Sequence, residues 1–322
     1  MTSTVLILGA AGRIGQALGK AFADAGWRVL AQARKTLPST LSSRPRVEAV
    51  RCDATDVSTL TSRSLNASVV INALNPPYTE WDRLALPLAD AAMKVARANG
   101  ALLMLPGNVY NFGREIPPLL TLATPERGDT PKARTRIELE GRLAAAAAHG
   151  LNSVVIRAGD FFGGAGTGNW FDMALASKLA KGRFVYPGDP DIAHAWAYLP
   201  DLAQTFVRVA ERRDRLQGHH RLHFAGHTPT GATVKTVLES LLARKLQTND
   251  MPWGIIKIAS PVMPMWRELL TMRYLWNRPH ALDDSALRGL IGEVPHTSLR
   301  EALRDALVEL QPIASMPAPV RV

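Results

Sequence analysis

The strongest constraint on the fold is a glycine-rich turn near the start of the chain. The segment LILGAAGRIGQAL (6–18) reads as a buried strand, a tight turn and the first residues of a helix. Gly9, Gly12 and Gly15 follow the spacing G-x-x-G-x-x-G. Glycine lets a backbone approach a pyrophosphate closely, and a helix N-terminus adds free N–H groups and a positive dipole. The motif therefore predicts a dinucleotide-binding turn; a strand–helix turn without a ligand is the alternative.

Short apolar runs alternate with helical patterns along the first half of the chain. Strands are predicted at 4–9, 28–33, 47–52, 68–74, 101–106 and 152–158, and helices at 13–25, 56–63, 83–98 and 133–148. The strands are continuously apolar, which is typical of strands buried on both faces. Strand–helix alternation implies a parallel sheet with right-handed crossovers. The predicted fold class is α/β, a Rossmann-type doubly wound parallel sheet with a smaller, mostly helical C-terminal lobe.

The alternation breaks down after about residue 160. A glycine-rich loop, FFGGAGTGNW (161–170), follows the last of these strands, and the chain becomes mostly helical after residue 227. We therefore expect a dinucleotide-binding core from 1–162 and 190–227, and a small substrate-binding lobe from 163–189 and 228–322. The tail 312–322 is expected to be loosely held.

Composition narrows the class of protein further. Cys52 is the only cysteine, which rules out an internal disulfide and fits a reducing compartment. No signal peptide or apolar run of about 20 residues is visible, so we expect a soluble cytoplasmic protein that has no membrane partner. The net charge of +10 fits nucleic acid, an acidic substrate or a phosphorylated cofactor. The basic residues are scattered and lack interleaved aromatics, which argues against nucleic acid.

The residues after the second strand predict the type of cofactor. NAD sites place a carboxylate there for the ribose 2′-hydroxyl, whereas NADP sites use an arginine for the 2′-phosphate. Here Ala33 is followed by Arg34, and Arg13 in the glycine motif is a candidate second partner. The sequence predicts NADP; the alternative is that both arginines simply face water.

Several further segments resemble the extended and atypical short-chain dehydrogenase/reductases, the NAD(P)-dependent epimerase/dehydratase group. The resemblance covers nearly the whole chain and is carried by GAAGRIG (9–15), CDATD (52–56), VINALNPP (70–77), LPGNVYNFG (105–113), IRAGDFFG (156–163), AYLPDLAQ (197–204) and LIGEVPHTSLREAL (290–303). Together with the glycine motif and the cation positions, it implies cofactor contacts from Gly9, Ala11, Gly12, Arg13, Ile14, Gly15, Arg34, Asp53, Ala54, Ala73, Leu74, Asn75 and Arg136.

The resemblance fails at the usual catalytic residues. Such enzymes carry a Ser or Thr near the end of the fifth strand and a Tyr-x-x-x-Lys pair on the next helix. Aligning that helix places Lys132 at the Tyr position and Arg136 at the Lys position, and the residues at 106–109, just before Tyr110, contain no hydroxyl. The usual Ser and Tyr are therefore missing.

The helix GDTPKARTRIELE (128–140) carries cations in its first turn, where the helix dipole disfavours them. An anionic ligand nearby would offset that cost. We expect Arg136 to bind the ribose or phosphate side of the cofactor and Lys132 to face the substrate as an acid/base group. Tyr110 and Asn108 are the expected hydrogen-bonding partners of a substrate oxygen. The alternative is that Lys132 is an exposed, solubilising residue.

The remaining clusters have less specific patterns. HHRLHFAGH (219–227) lacks the spacing of a zinc motif and fits a turn entering a strand, so no metal is expected. Six aromatic residues are expected near the pocket and indicate either an apolar or aromatic substrate or core packing: Tyr78, Trp81, Tyr110, Phe112, Trp170 and Trp196. The apolar stretch 264–276 fits packing within the small lobe or a homodimer contact.

These observations predict an NADP-dependent oxidoreductase or epimerase-like enzyme acting on a small carbonyl or hydroxyl substrate. The intact substrate lobe favours an enzyme. The loss of the usual Tyr favours the alternative, a catalytically silent NADP-binding redox sensor or scaffold.

Overall fold

A computed structural model describes residues 2–310 of the chain. The strands are β1 (Thr4–Leu8), β2 (Arg28–Ala33), β3 (Val47–Arg51), β4 (Val69–Asn72), β5 (Leu102–Gly107), β6 (Leu119–Leu120), β7 (Ser153–Arg157), β8 (Asp160–Phe162), β9 (Arg183–Tyr186), β10 (Trp196–Tyr198), β11 (His219–His223), β12 (Gln247–Asp250) and β13 (Ala281–Leu282). The helices are α1 (Arg13–Asp24), α2 (Ser39–Ser42), α3 (Val57–Arg63), α4 (Trp81–Ala98), α5 (Pro131–Ala147), α6 (Leu199–Glu211), α7 (Gly231–Leu242), α8 (Trp253–Ala259), α9 (Pro264–Met272), α10 (Ser285–Ile291) and α11 (Leu299–Leu310). The tail 312–322, predicted to be loosely held, lies outside the described residues.

The main sheet of the described chain is parallel throughout and has the order β11-β7-β5-β4-β1-β2-β3. At its centre Leu6 of β1 pairs with Leu30 of β2 on one side and with Val70 of β4 on the other. The strand order reverses between β1 and β4, which opens a crevice at the carboxyl ends of the strands. The predicted Rossmann-type doubly wound sheet is confirmed, and the predicted elements agree with the observed ones to within two residues.

The central strand is buried on both faces, as its continuous apolar sequence indicates. Val5 and Ile7 join a cluster that includes side chains of α1 and α6, whereas Leu6 and Leu8 join a cluster that includes side chains of α3, α4 and α5. Alternate strand residues point to opposite faces, so one run of apolar residues supplies both layers. The helices therefore flank the sheet and leave its carboxyl edge for other segments.

A third cluster, rich in aromatic rings, is formed by segments beyond the sheet. Trp276 is fully buried, and its ring centroid lies 5.2 Å from that of Trp170 and 5.4 Å from that of Tyr186. The imidazole of His194 stacks on Trp276 at 4.1 Å. All six aromatic residues singled out in the sequence contribute to this apolar cluster, Tyr78 as a partly buried member. No helix within residues 2–310 is long and apolar enough to cross a membrane.

Helix α5 begins as its sequence predicts. Of the two candidate caps it is Thr130 that acts, since its side chain accepts a hydrogen bond from Ala133 N at 3.1 Å, and Pro131 occupies the first turn. Asp129 instead accepts from Arg114 N at 3.0 Å, which ties the approach to the helix to another loop. The local capping signal therefore sets the helix start, and packing decides which candidate residue provides it.

A buried ion pair holds α5 against the sheet. Glu140 and Arg157 are only 4% and 1% exposed, and Arg157 Nη2 lies 2.5 Å from Glu140 Oε2. Asn111 Nδ2 donates to Glu140 Oε1 at 3.0 Å, and Arg157 also pairs with Glu126. Two buried charges are tolerated only when paired and hydrogen-bonded, so this network fixes the position of α5 relative to β7.

We predict that Glu140→Gln lowers the free energy of unfolding by about 3 kcal/mol, because it leaves the buried Arg157 guanidinium without its carboxylate on α5. Urea unfolding at neutral pH measures the change. Glu138→Gln, on the same helix but in a surface pair with Arg142, serves as the control and should cost about 1 kcal/mol or less. Equal losses of unfolding free energy in both variants would contradict a structural role for the buried pair.

Candidate functional site

The glycine turn lies at the carboxyl edge of the sheet, between β1 and α1. Gly9 adopts a φ of +77°, which favours glycine. A Cβ on Gly15 would lie 2.3 Å from the carbonyl oxygen of Gly9, so only glycine allows the helix to pack this close to the turn. Gly12 caps the helix through its extended backbone, and the first-turn N–H groups that follow it, beginning with Arg13, have no intrahelical partners. This geometry suits an anion such as a pyrophosphate.

Gln32 braces the glycine turn, a role that the sequence analysis missed. Its Oε1 accepts from Gly9 N at 2.9 Å and its Nε2 donates to Cys52 O at 2.8 Å. The side chain therefore links β1 to β2 and to the end of β3. The only signal in the sequence is a lone amide within the otherwise apolar end of β2.

Residues predicted to surround the adenosine end of a cofactor lie together at this edge. Arg34 is exposed just after β2. Hydrogen bonds from Thr55 are the main cause of the lowered pKa of Asp53, and the charge of Arg34 acts in the same direction. Ala54 is buried just after β3. The structure also brings the turn residues Gly9, Ala11, Gly12, Ile14 and Gly15 and the segment Ala73, Leu74 and Asn75 to the ends of neighbouring strands.

Arg13 reaches away from the adenosine side and across to the glycine-rich loop after β8. Its Nε donates to Gly163 O at 2.9 Å, and its guanidinium pairs with Asp172. Asp172 also accepts from Gly168 N at 3.0 Å. The guanidinium that was expected to be a second partner for a 2′-phosphate thus already has a carboxylate partner, because the loop folds back over α1.

Lys132 is buried beside the partly buried Tyr78, which in turn contacts the buried Tyr110. Its ammonium pairs with Glu268 of α9, and Nζ lies 4.9 Å from the centre of the Tyr78 ring. The hydroxyls of Tyr78 and Tyr110 are 3.2 Å apart. The alternative that Lys132 is an exposed, solubilising residue is therefore wrong, because α9 packs over the start of α5. Glu268 was missed because it lies 136 residues further along the chain.

The two tyrosines are held in the neutral form. Burial raises the pKa of Tyr110 well above its usual value and also raises that of Tyr78, and the charge of Asp160 acts in the same direction for both. Neutral phenols at this position can donate hydrogen bonds to an oxygen atom. Asn108 has a supporting position, since its Oδ1 accepts from Tyr110 N at 3.0 Å.

Arg136 lies one turn further along the same face of α5. Its guanidinium sits 4.9 Å from the Trp81 ring centre and donates to Pro106 O at 3.4 Å. Burial lowers its pKa, and the charge of Glu140 opposes that shift. Its buried Nε has no hydrogen-bond partner among the described residues. The side chain lines a cleft together with Asn75 and Trp81.

Asp160 and His194 form a polar pair that the sequence analysis missed. His194 Nε2 lies 2.8 Å from Asp160 Oδ2, and the Asp160 charge also acts on the tyrosines at 78 and 110. The two residues come from β8 and from the segment before β10, which pairs with it. Only the pairing of these short strands brings Asp160 and His194 together, so the sequence around either residue does not predict the contact.

The histidine-rich segment enters a strand, as predicted. His219, His220 and His223 lie on β11, which pairs with β7. His227 instead approaches Asp201 and His296. One side-chain atom of each residue that could bind a metal lies within 4.8 Å of those of the other two. The Asp201 carboxylate already accepts from Thr297 N and Oγ1, both at 2.7 Å, which joins α6 to the segment before α11.

Comparisons with known proteins agree with this architecture. Residues 1–96 match the model of the NmrA-like family. A UDP-glucose-4-epimerase from Stenotrophomonas maltophila with bound NAD and formylated UDP-arabinopyranose has 16% identity and a TM-score of 0.78, covering 96% of this chain and 98% of that one. No curated protein sequence matches.

Two further solved structures show the same likeness. A putative epimerase from Burkholderia cenocepacia J2315 has 13% identity and a TM-score of 0.76, with 96% of this chain and 98% of that chain covered. UDP-glucose 4-epimerase from Brucella ovis, in complex with NAD, has 17% identity and a TM-score of 0.75, with 95% and 97% covered. The resemblance to extended and atypical short-chain dehydrogenase/reductases is confirmed in the fold.

Buried histidines predict a loss of stability in acid. Burial lowers the pKa of His223 to about 4, whereas an unfolded histidine titrates near about 6.5. The unfolded state therefore takes up the proton first, and stability is lost as the pH falls from about 6.5 towards about 4. We predict that His223→Gln reduces this loss by about 3 kcal/mol.

Urea unfolding across that pH range measures the slope of the free energy of unfolding against pH. The glutamine side chain keeps an amide that can donate to Leu120 O, the atom that the imidazole of His223 contacts. His149→Gln, at an exposed position, is the control and should leave the slope unchanged. An unchanged slope in His223→Gln would show that this histidine is not held neutral by the fold.

Proposed function

We propose that this protein is an NADP-dependent oxidoreductase or epimerase-like enzyme acting on a small carbonyl or hydroxyl substrate. The observation that carries the proposal is the group formed by Lys132, Tyr78 and Tyr110. It packs beside the cation Arg136 on a fold whose glycine turn suits a pyrophosphate. Chemistry needs a proton donor near the reacting oxygen, and this group offers a cation and two neutral phenols.

The residues present fit a nicotinamide dinucleotide. Gly9 and Gly15 let the turn and α1 pack closely, and this arrangement presents the first-turn N–H groups of α1 to a diphosphate. Asp53 and Ala54 would border the adenine, and the 73–75 segment the adjoining ribose. The NAD named for two of the structural neighbours supports a cofactor of this type. When bound, such a cofactor supplies hydride transfer.

The phosphorylated form is favoured by the residues after β2. Arg34 is exposed, so its guanidinium is free to turn toward a 2′-phosphate. The residue before it, Ala33, carries no charge that would repel the phosphate. Because Arg13 pairs with Asp172, the structure favours Arg34 as the main partner and gives Arg13 the role of holding the 163–168 loop over the glycine turn.

Arg136 would bind the cofactor and Lys132 the substrate. Arg136 has a buried, unpartnered Nε beside the cleft at Asn75, so it is placed to receive a ribose or phosphate oxygen. Lys132 would hold the substrate oxygen with Tyr110, while Asn108 positions the Tyr110 backbone. Glu268 holds Lys132 in place by pairing with its ammonium.

We assign the substrate to the junction of the core (1–162 and 190–227) with the small lobe (163–189 and 228–322). Trp81, which lines the cleft, and the partly buried Tyr78 support an apolar or aromatic substrate. The protein would work in the cytoplasm, and the 264–276 segment would serve mainly to pack the small lobe, since Met272, Leu275 and Trp276 are buried in the aromatic cluster.

The sensor or scaffold alternative has one observation in its favour. Glu268 already neutralises Lys132, so the group can serve to hold α9 in place without chemistry. A panel of carbonyl compounds with NADPH decides between the two. Steady NADPH oxidation with any member supports the enzyme; tight NADPH binding without turnover, together with redox-dependent partner binding, supports the sensor.

We predict that NADPH binds at least about tenfold more tightly than NADH, a difference of about 1.4 kcal/mol. Arg34→Ala should remove most of this preference because the 2′-phosphate loses its charge-assisted partner. Calorimetric titration with both cofactors measures it. Arg97→Ala, which removes an exposed cation at the end of α4, is the control and should leave the preference intact. Gly12→Val, in the glycine turn, should abolish binding of both cofactors.

We predict that Lys132→Met combined with Glu268→Gln lowers turnover about a hundredfold or more while NADPH binding is kept. The double variant removes the acid/base group without leaving a lone buried charge. Arg136→Ala should instead weaken NADPH binding. Arg134→Ala, an exposed cation in the same first turn, is the control. Wild-type turnover in the double variant would exclude Lys132 from the chemistry.

A further inference from the structure

Helices α8 and α9 and the residues between them form a hairpin, 253–272, whose outer surface is strongly apolar. Ile258 and Val262 are 83% and 82% exposed. Three more large apolar side chains of the hairpin are also exposed: Ile255, Met263 and Met265. Single exposed apolar residues are ordinary, but several within eleven residues form a patch, and such patches mark interaction sites.

The exposed side chains are additional to those that hold the hairpin in place. Ile256 and Met272 are buried, and Trp253 and Leu269 pack against the aromatic cluster. Trp253 Nε1 also donates to Pro187 O at 2.7 Å. The hairpin therefore has a packed inner face and a separate apolar outer face, which the fold of the described chain leaves in water.

Cations border this outer face. The hairpin 253–272 contains two cations, Lys257 and Arg267, and one acidic residue, Glu268. Glu268 points inward, where it pairs with Lys132. Lys257 and Arg267, next to the exposed apolar residues, are themselves exposed. An apolar face bordered by cations is the pattern of helices that lie in the interface of an anionic membrane.

A second copy of the chain fits this surface less well. A two-fold contact places the same patch on both subunits, so Lys257 and Arg267 would face cations of the partner. An anionic lipid surface instead complements these charges and accepts the exposed side chains between its headgroups. Such peripheral contact requires no membrane-spanning helix.

We propose that the outer face of the 253–272 hairpin docks on anionic lipid bilayers. The contact consists of Ile255, Ile258 and Val262 inserted at headgroup depth, with Lys257 and Arg267 against lipid phosphates. The proposal is independent of the proposed function. It does place the lipid surface beside α9, the helix whose Glu268 closes over Lys132.

Sedimentation of the full-length protein with vesicles tests the proposal. We expect binding to mixed phosphatidylcholine–phosphatidylglycerol vesicles and little binding to phosphatidylcholine alone. Ile258→Asp should weaken binding about tenfold or more, since an apolar side chain inserted among the lipid headgroups is replaced by a charge. Lys257→Gln should weaken it about fivefold. Circular dichroism confirms that each variant is folded.

Two control variants test whether binding depends on this surface or on any exposed apolar or basic residue. Leu65→Asp changes an apolar residue that is 64% exposed on another element, and Arg97→Gln removes an exposed cation elsewhere; both should bind as the wild type. Equal binding by Ile258→Asp and the wild type overturns the proposal. So does a dimer in solution, seen by light scattering, that Ile258→Asp dissociates while neither protein binds vesicles.

Discussion

The buried pair of Glu140 and Arg157 is the interaction on which the geometry of the site depends. It joins the middle of α5 to the end of β7, so the helix cannot rotate or slide without unpairing two charges in the interior. Lys132 and Arg136 lie two turns and one turn before Glu140 on the same helical face. Once Glu140 is fixed, both cations must face the interior of the protein and the carboxyl edge of the sheet.

Carboxylates from distant segments pair with two cations of the site. Glu268 pairs with Lys132 and Asp172 pairs with Arg13. Each pair connects the sheet region to a later segment that closes over it. The helix dipole cost of cations in the first turn of α5 is therefore offset by the protein itself at Lys132. At Arg136, where a buried Nε has no partner among the described residues, an anionic ligand would still supply the compensation.

The loss of the usual tyrosine from α5 does not remove phenols from the site. Tyr78 comes from the turn before α4 and Tyr110 from the segment after β5; their hydroxyls are 3.2 Å apart, and Lys132 Nζ lies 4.9 Å from the centre of the Tyr78 ring. Three separate elements, α5, the turn before α4 and the segment after β5, thus supply these polar groups, and this supports the proposal of an enzyme.

The sequence by itself determined the sheet, the bounds of α1, α3, α4 and α5 to within two residues, and the glycine turn. These depend on signals that act over a few residues: apolar runs, capping by Thr130, and the requirement for glycine at Gly9 and Gly15. It also placed Lys132 and Arg136 on one face, because residues four apart share a side of a helix. The tertiary structure alone decided that Lys132 is buried against Glu268 and that Arg13 binds Asp172. The partners lie 136 and 159 residues apart, and ion pairs of that range depend on how loops and later helices close over the sheet.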